Sequence, residues 1–252
     1  MIEVQSITYG YTPTLPIFKD FSWTVGKQDR WAVIGPSACG KSTLLYLCAG
    51  LLHPSNGFVY VEKTEINRPR PRTGLIIQDY GLLPWATVQQ NVELGLKVRS
   101  FYGPDGTHSP TGPSQGKSDI DYWINKLGLA SVANRYPNQI SGGQRQRTAL
   151  ARTLVLQPDL LLMDEPFSSL DAPTREILQN LTNELCIEQK LTLIIVTHAI
   201  EEAAIIGEKI LVLSNPPNIK PVIIDNSGVF INNYRNSIEY QNICRRIRGL
   251  LE

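Results

Sequence analysis

The chain of 252 residues has no long hydrophobic run. Nowhere do 18 apolar residues follow one another: Leu160 to Met163 is a short stretch, and Leu191 to Val196 is interrupted by Thr192. Neither approaches the roughly 20 residues that a bilayer-spanning helix requires. The opening Met1-Ile2-Glu3-Val4-Gln5 is not a basic segment leading into an apolar one, so no signal peptide is read there. A role at a membrane would need a partner as anchor. Cysteine is scarce as well. The four, Cys39, Cys48, Cys186 and Cys244, include no closely spaced pair, which argues against a zinc site, a redox pair or a disulfide framework. They read as reduced thiols in a cytosolic protein. Excess charge of either sign is also missing: 24 basic and 23 acidic side chains leave a net +1, which gives no reason to expect nucleic acid or another polyanion as partner.

What is present alternates between strand and helix. Ile2 to Ile7 switches between apolar and polar residues, and Ile17 to Val25 is a second strand-like stretch, which together predict an antiparallel edge layer with Tyr9 to Pro16 as its loop. Trp31 to Ile34 is continuously apolar and reads as a buried strand before a helix over Lys41 to Cys48. Buried strands are also expected at Leu160 to Met163, Leu193 to Val196 and Lys209 to Leu213. Between them lie a helix with Ile177, Leu178, Leu181 and Leu185 on one face, Pro173 at an early position, and a shorter helix from Ile200 to Ile206. This order implies an α/β fold whose mostly parallel sheet is covered on both faces.

From Gly81 to about Leu156 the period becomes helical, with Val88, Val92 and Leu96 and then Ile120, Ile124 and Leu127. The part from about Leu82 to Leu156 would form a second lobe. Inside it, 11 of the 19 residues from Ser100 to Ser118 are Gly, Pro or Ser, so a surface excursion or disordered loop is expected. The residues after Asn215 read as a weakly patterned tail with a short basic helix over Tyr240 to Leu251.

Gly35-Pro36-Ser37-Ala38-Cys39-Gly40-Lys41-Ser42-Thr43 fits G-x-x-x-x-G-K-[ST] in full, and it lies between a predicted strand and a predicted helix. Tight turning there aims successive backbone N–H groups at the α- and β-phosphates of a nucleotide. Lys41 would bridge the β- and γ-phosphates, Ser42 would ligate Mg²⁺, and the helix that follows would direct its positive end at the anion. Taken alone, the motif leaves kinases, GTPases and motor ATPases open. A second site is the acidic pair Asp164-Glu165 at the end of the apolar run Leu160 to Met163. Open α/β folds bind ligands at such strand ends. Asp164 would hold Mg²⁺ directly or through water, and Glu165 would polarise the attacking water.

Ile140-Ser141-Gly142-Gly143-Gln144, followed by Arg145-Gln146-Arg147, resembles the signature motif of the ABC ATPases, and the rest of that family's set is present in order. Gln78, after the strand Gly74 to Ile77, matches the glutamine between the lobes and a Mg²⁺ contact. Ser169-Leu170-Asp171 matches the loop that carries communication across the dimer, and His198 matches the switch histidine. Tyr11 is the choice for the aromatic that stacks on adenine, with Tyr9 as rival. The resemblance covers about Ile2 to Leu213. It implies a phosphate-loop NTPase core with an antiparallel β edge layer, formed by residues 1–81 and 157–252, and an inserted helical lobe over 82–156 with a flexible loop at 100–118.

The residues themselves offer a hydroxyl and unobstructed amides at Ser141, Gly142 and Gly143, a second anion site at a helix start. The family's use of two such sites is a head-to-tail dimer, with each ATP between the phosphate loop of one copy and the signature, including Gln144, of the other. The resemblance further implies ATP hydrolysis coupled to transport through two membrane-spanning permease subunits, at the cytoplasmic face of the membrane, with an extracytoplasmic solute-binding protein as an indirect partner. Leu82-Leu83-Pro84-Trp85, Val88 and Asn91-Val92 look like the importer branch for nitrate, sulfonate and taurine-type solutes. Three departures stand out. Ala38 replaces a common glycine, so no positive φ is expected there. Ile140 replaces leucine, a swap of equal volume. Ala199 replaces an acidic residue.

Overall fold

The computed structural model of the chain describes residues 1–102, 117–230 and 233–252, with side chains described over 1–98, 119–229 and 233–252. The order opens with β1 (Ile2–Tyr9) and β2 (Phe18–Val25), an antiparallel pair with Ile2 opposite Val25. Then come β3 (Arg30–Ile34), α1 (Lys41–Ala49), β4 (Asn56–Val61), β5 (Thr64–Glu65) and β6 (Thr73–Ile76). Helices α2 (Val88–Tyr102), α3 (Lys117–Lys126) and α4 (Gly142–Leu154) follow. The chain continues through β7 (Leu160–Asp164), α5 (Ala172–Glu188), β8 (Thr192–Thr197), α6 (Ile200–Ile206), β9 (Lys209–Val212), β10 (Val222–Asp225) and α7 (Ile238–Leu251).

Two sheets result. The smaller has the order β2-β1-β4-β5 and is antiparallel throughout. The larger has the order β10-β9-β3-β8-β7-β6, parallel except for the β10–β9 pair. Its central strands β3, β7 and β8 are buried along their whole length, and alternate residues supply opposite faces. Ala32, Ile34, Leu161, Met163, Leu193 and Ile195 face a core shared with α2 to α7. Trp31, Val33, Leu160, Leu162, Ile194 and Val196 face a second core with α1 and the small sheet. The continuously apolar strands and the doubly covered sheet follow the expectation from sequence.

The apolar cluster on the helical side runs without a break from the sheet to Val88, Val92, Ile120, Trp123, Ile124, Leu127 and Leu150. Buried Asn91 shapes the turn before α2: its Oδ1 accepts from Leu83 N at 2.8 Å, and its Nδ2 donates to Ala86 O at 2.9 Å and Thr87 O at 3.0 Å. The turn so held leaves Trp85 73% exposed.

Four expectations need correction. The glycine-rich excursion is shorter than 100–118, because α2 runs to Tyr102 and α3 starts at Lys117; residues 103–116 lie outside the described residues. Ile177 is 55% exposed, since the inner face of α5 centres on Leu178, Thr182 and Leu185, with Thr182 Oγ1 donating to Leu178 O at 2.7 Å. The tail after Asn215 is built into the fold: β10 adds an antiparallel edge to β9, and α7 begins at Ile238, capped by Ser237. Only Ile224 of the four β10 residues is buried, although Val222 and Ile223 are apolar too. The strand before Gln78 closes at Ile76 and leaves Ile77 exposed.

Candidate functional site

Register brings the sequence-predicted residues to one edge. In the parallel ladders Ile34 pairs with Thr197, Asp164 with Val196 and Ile76 with Met163. The carboxyl ends of β3, β6, β7 and β8 therefore open side by side, and Gly35, Gln78, Asp164, Glu165 and His198 stand at or just beyond them. Such an edge is where parallel α/β sheets take ligands.

The loop from Gly35 to Gly40 folds around a buried lysine. Lys41 Nζ donates to Gly35 O at 3.0 Å and to Pro36 O at 2.9 Å. Ser37 and Ala38 are exposed, while Cys39, Gly40 and Thr43 are buried. Gly40 occupies the N-cap of α1 at φ 105°, and no side chain caps the helix. The first-turn amides are thereby left for an outside acceptor. The expectation for Ala38 is overturned, because its φ is 61°. The loop must bend left-handed there to bring its amides inward, and alanine accepts a cost of about 1–2 kcal/mol to do so. Burial raises the Cys39 thiol above its ordinary value, so this cysteine stays protonated inside the loop.

Ser42 Oγ donates to Asp164 Oδ1 and Tyr46 OH donates to Asp164 Oδ2, each at 2.9 Å. Burial, with Asp164 beside it, pushes Tyr46 up to about 12, so the phenol remains a donor. The sequence reading missed Tyr46, although a signal was available: it stands one helical turn after Ser42, on the same face of α1. Glu165 lies at φ 45°, a left-handed conformation of the kind concentrated at functional sites. Its amide still donates to Val196 O at 2.9 Å, and Ser168 Oγ donates to its carbonyl at 3.0 Å. Exposed His198 places Nδ1 3.1 Å from Glu165 Oε2. Behind them Glu202 is buried, with Oε1 lacking a hydrogen-bond partner. Burial pushes its carboxyl up to about 8; Glu165 adds to the rise, whereas Arg175 and Thr197 oppose it. Ala199 stands at the N-cap of α6 without a side-chain cap, and its amide bonds Thr197 Oγ1 at 3.0 Å instead.

Tyr11 projects at 67% exposure, its OH 3.3 Å from Thr43 Oγ1 and its ring edge-on to Tyr9 at 5.5 Å between centroids. Half-buried Tyr9 ends β1, so Tyr11 is the open aromatic face beside the phosphate loop.

The signature residues stand apart. Ser141 caps α4 and accepts from Gln144 N at 3.3 Å, while Gln144 Oε1 accepts from Ser141 N at 3.0 Å. The start of α4 packs against α5: a Cβ on Gly143 would sit 2.7 Å from Thr174 Cγ2, so a side chain there would have to displace Thr174. Exposed Asp171 caps α5 through Thr174 N at 3.2 Å, and hydrogen bonding from the Thr174 side chain and then its amide holds the carboxyl below the ordinary range. Among the described residues, no hydrogen bond, ion pair or ring contact joins Ser141–Gln144 to the phosphate loop.

The family model described as ABC transporter matches residues 18–168. The chain is 38% identical over 204 residues to the taurine import ATP-binding protein of Pelagibacter ubique, covering 81% of this chain and 73% of that one. It is 34% identical over 245 residues to the aliphatic sulfonates import ATP-binding protein of Bacillus cereus, covering 97% and 92%. Among solved structures, a dimeric ATP-binding cassette in a post-hydrolysis state bound to ADP and Pi superposes with a TM-score of 0.73 at 28% identity, covering 90% and 99%.

Proposed function

The chain belongs to the ABC transporter family as an ATP-binding, ATP-hydrolysing subunit, and on that premise we propose that it drives import of a small sulfonate- or nitrate-like solute. It works as a head-to-tail pair at the cytoplasmic face of the membrane, beneath two membrane-spanning permease subunits that are served by an extracytoplasmic binding protein. No helix among the described residues is long and apolar enough to cross a membrane. The observation that carries the proposal is a separation. The phosphate loop, Asp164, Glu165 and His198 share one strand edge, while the signature turn is exposed elsewhere with its own cap. A second copy completes the site, its signature closing on the nucleotide held by this chain.

In that site Lys41 and the loop amides of Gly35 to Thr43 hold the phosphates, and Tyr11 carries the base. Ser42 and Asp164 present hard oxygens 2.9 Å apart, a donor set suited to Mg²⁺, which binds through one or two carboxylates together with phosphates. When bound, the metal supplies charge neutralisation at the β- and γ-phosphates. Gln78 reports on that centre, Glu165 takes the proton of the attacking water, His198 orients it, and Asp171 signals across the pair. Residues 82–156 form the lobe that moves against the core of 1–81 and 157–252.

Glu165→Gln tests the reading. Hydrolysis should fall by about 10²–10⁴-fold. ATP binding should persist, and ultracentrifugation with ATP should show more dimer than in wild type. An active variant, or one that never pairs, overturns it.

A further inference from the structure

With its amides turned toward an anion, the phosphate loop directs carbonyls the other way, and these need partners too. The Cys39 carbonyl finds one far along the chain: Asn218 Nδ2 donates to it at 2.9 Å. Asn218 is buried on the segment that leaves β9. Its Nδ2 also donates to Ile17 O at 3.3 Å, and its Oδ1 accepts from Ser214 N at 2.9 Å. Its backbone is tied as well, with Asn218 N donating to Ile17 O at 2.8 Å and Lys19 N donating to Asn218 O at 3.0 Å. At the other end of the loop, the Leu213 carbonyl approaches so closely that a Cβ on Gly35 would lie 2.6 Å from it. One buried amide thus joins the start of β2, the phosphate loop and the exit of β9.

We propose that Asn218 is a positioning residue that sets ATP affinity by clamping the phosphate loop from outside. It rests on the phosphate loop as the ATP site. The held carbonyl lies between the two left-handed residues of the loop, Ala38 at φ 61° and Gly40 at φ 105°. Alanine relaxes away from that conformation unless its surroundings hold it. The Asn218 bond opposes that relaxation, so the amides are preset before the nucleotide arrives.

A control is built into the same C-terminal stretch. Asn226 is also buried and also donates to two carbonyls, Ala204 O at 2.8 Å and Gly207 O at 2.6 Å, but these lie at the end of α6 rather than on the loop. Full-length Asn218→Ala should raise the Kd for a fluorescent ATP analogue and the KM for ATP about tenfold, near the value of one lost hydrogen bond. The kcat at saturating ATP should stay close to wild type. Asn226→Ala should lower the melting temperature without moving the KM. Adding Ala38→Gly to Asn218→Ala should recover part of the affinity, because glycine takes the left-handed conformation freely. Lys41→Ala is the reference, and it should lose ATP binding. If Lys41→Ala loses ATP while Asn218→Ala binds as wild type, the clamp is wrong and the ATP site stands. If both bind as wild type, the site reading fails and the clamp with it. An equal KM rise in Asn226→Ala reduces Asn218 to general stability. Asn218→Ser is the milder substitute should alanine prevent folding, and failure of both to fold also overturns the proposal.

Discussion

The amino ends of α1 and α4 both have glycine at or next to the cap, yet they are finished in opposite ways. At α1 the cap is Gly40, with no side chain to satisfy the first amides, and Lys41 is drawn back onto the Gly35 and Pro36 carbonyls. That end lacks only an anion. At α4, Ser141 and Gln144 satisfy each other's amides in a reciprocal capping box. The Ser141 hydroxyl and the Gln144 amide are thus engaged, and an approaching phosphate must compete with an existing cap for that amide. On the proposed reading the first site captures nucleotide, and the second engages a nucleotide already presented to it. That reading predicts an order of events, in which ATP binds the phosphate loop first and pairing of subunits comes second.

The largest effect should separate the two ends in one binding assay. Lys41→Ala should weaken ATP roughly 100-fold, since charge-assisted bonds to two phosphates are lost. Ser141→Ala should leave the affinity of the unpaired subunit unchanged. It should lower the melting temperature by about 2–4 °C through loss of a cap worth about 1 kcal/mol, and depress hydrolysis only where dimers form. Equal losses of affinity would erase the contrast.

A smaller effect belongs to the open side of the first site. Tyr11→Ala should weaken a fluorescent ATP analogue about tenfold, because base stacking is worth roughly 1–3 kcal/mol. Tyr11→Trp should preserve affinity, and Tyr9→Ala should act on stability. The reverse pattern would move the base contact to Tyr9.

The smallest effect concerns Glu202, which lies behind Glu165 and near Arg175, whose Nη2 donates to Leu170 O at 2.8 Å in the turn before Asp171. Burial raises the folded carboxyl to about 8, well above its ordinary 4.5. Between these values the folded chain keeps a proton that the unfolded chain has released. This contribution to stability is full below about 4.5 and is lost as pH rises through about 8. Glu202→Gln should flatten that decline in urea melts taken across pH 5 to 8, and an unchanged slope would place the titration elsewhere.

Much of the site was legible because it depends on contiguous residue types. A loop that must aim several amides at one anion needs glycines and lysine at set intervals, and a strand end bearing two carboxylates needs them adjacent. The buried strands were legible for the same kind of reason: β3, β7 and β8 are covered on both faces and therefore apolar through Trp31 to Ile34, Leu160 to Met163 and Leu193 to Val196. Legibility failed where the cause lies elsewhere in the chain. β10 pairs with the edge that β9 offers, and Val222 and Ile223 stay exposed although they are apolar, so its burial pattern is not the one its composition suggests. Ala38 is bent by closure of the loop around it, against its own preference.

Sequence by itself determined the candidate chemistry: which side chains are of the types that bind phosphate, coordinate a hard cation or accept a proton, and which two helix starts are the proposed anion sites. Local spacing suffices for this because each motif is a few residues long and its geometry is a backbone property. Tertiary structure decided which groups meet. Parallel register set Asp164, Glu165 and His198 beside the phosphate loop, α1 turned Tyr46 onto Asp164, and the path of the chain after β9 carried Asn218 to a carbonyl 179 positions earlier. Such partners are selected by where carbonyls are left unpaired in the packed fold, a quantity that exists only once the chain has closed upon itself.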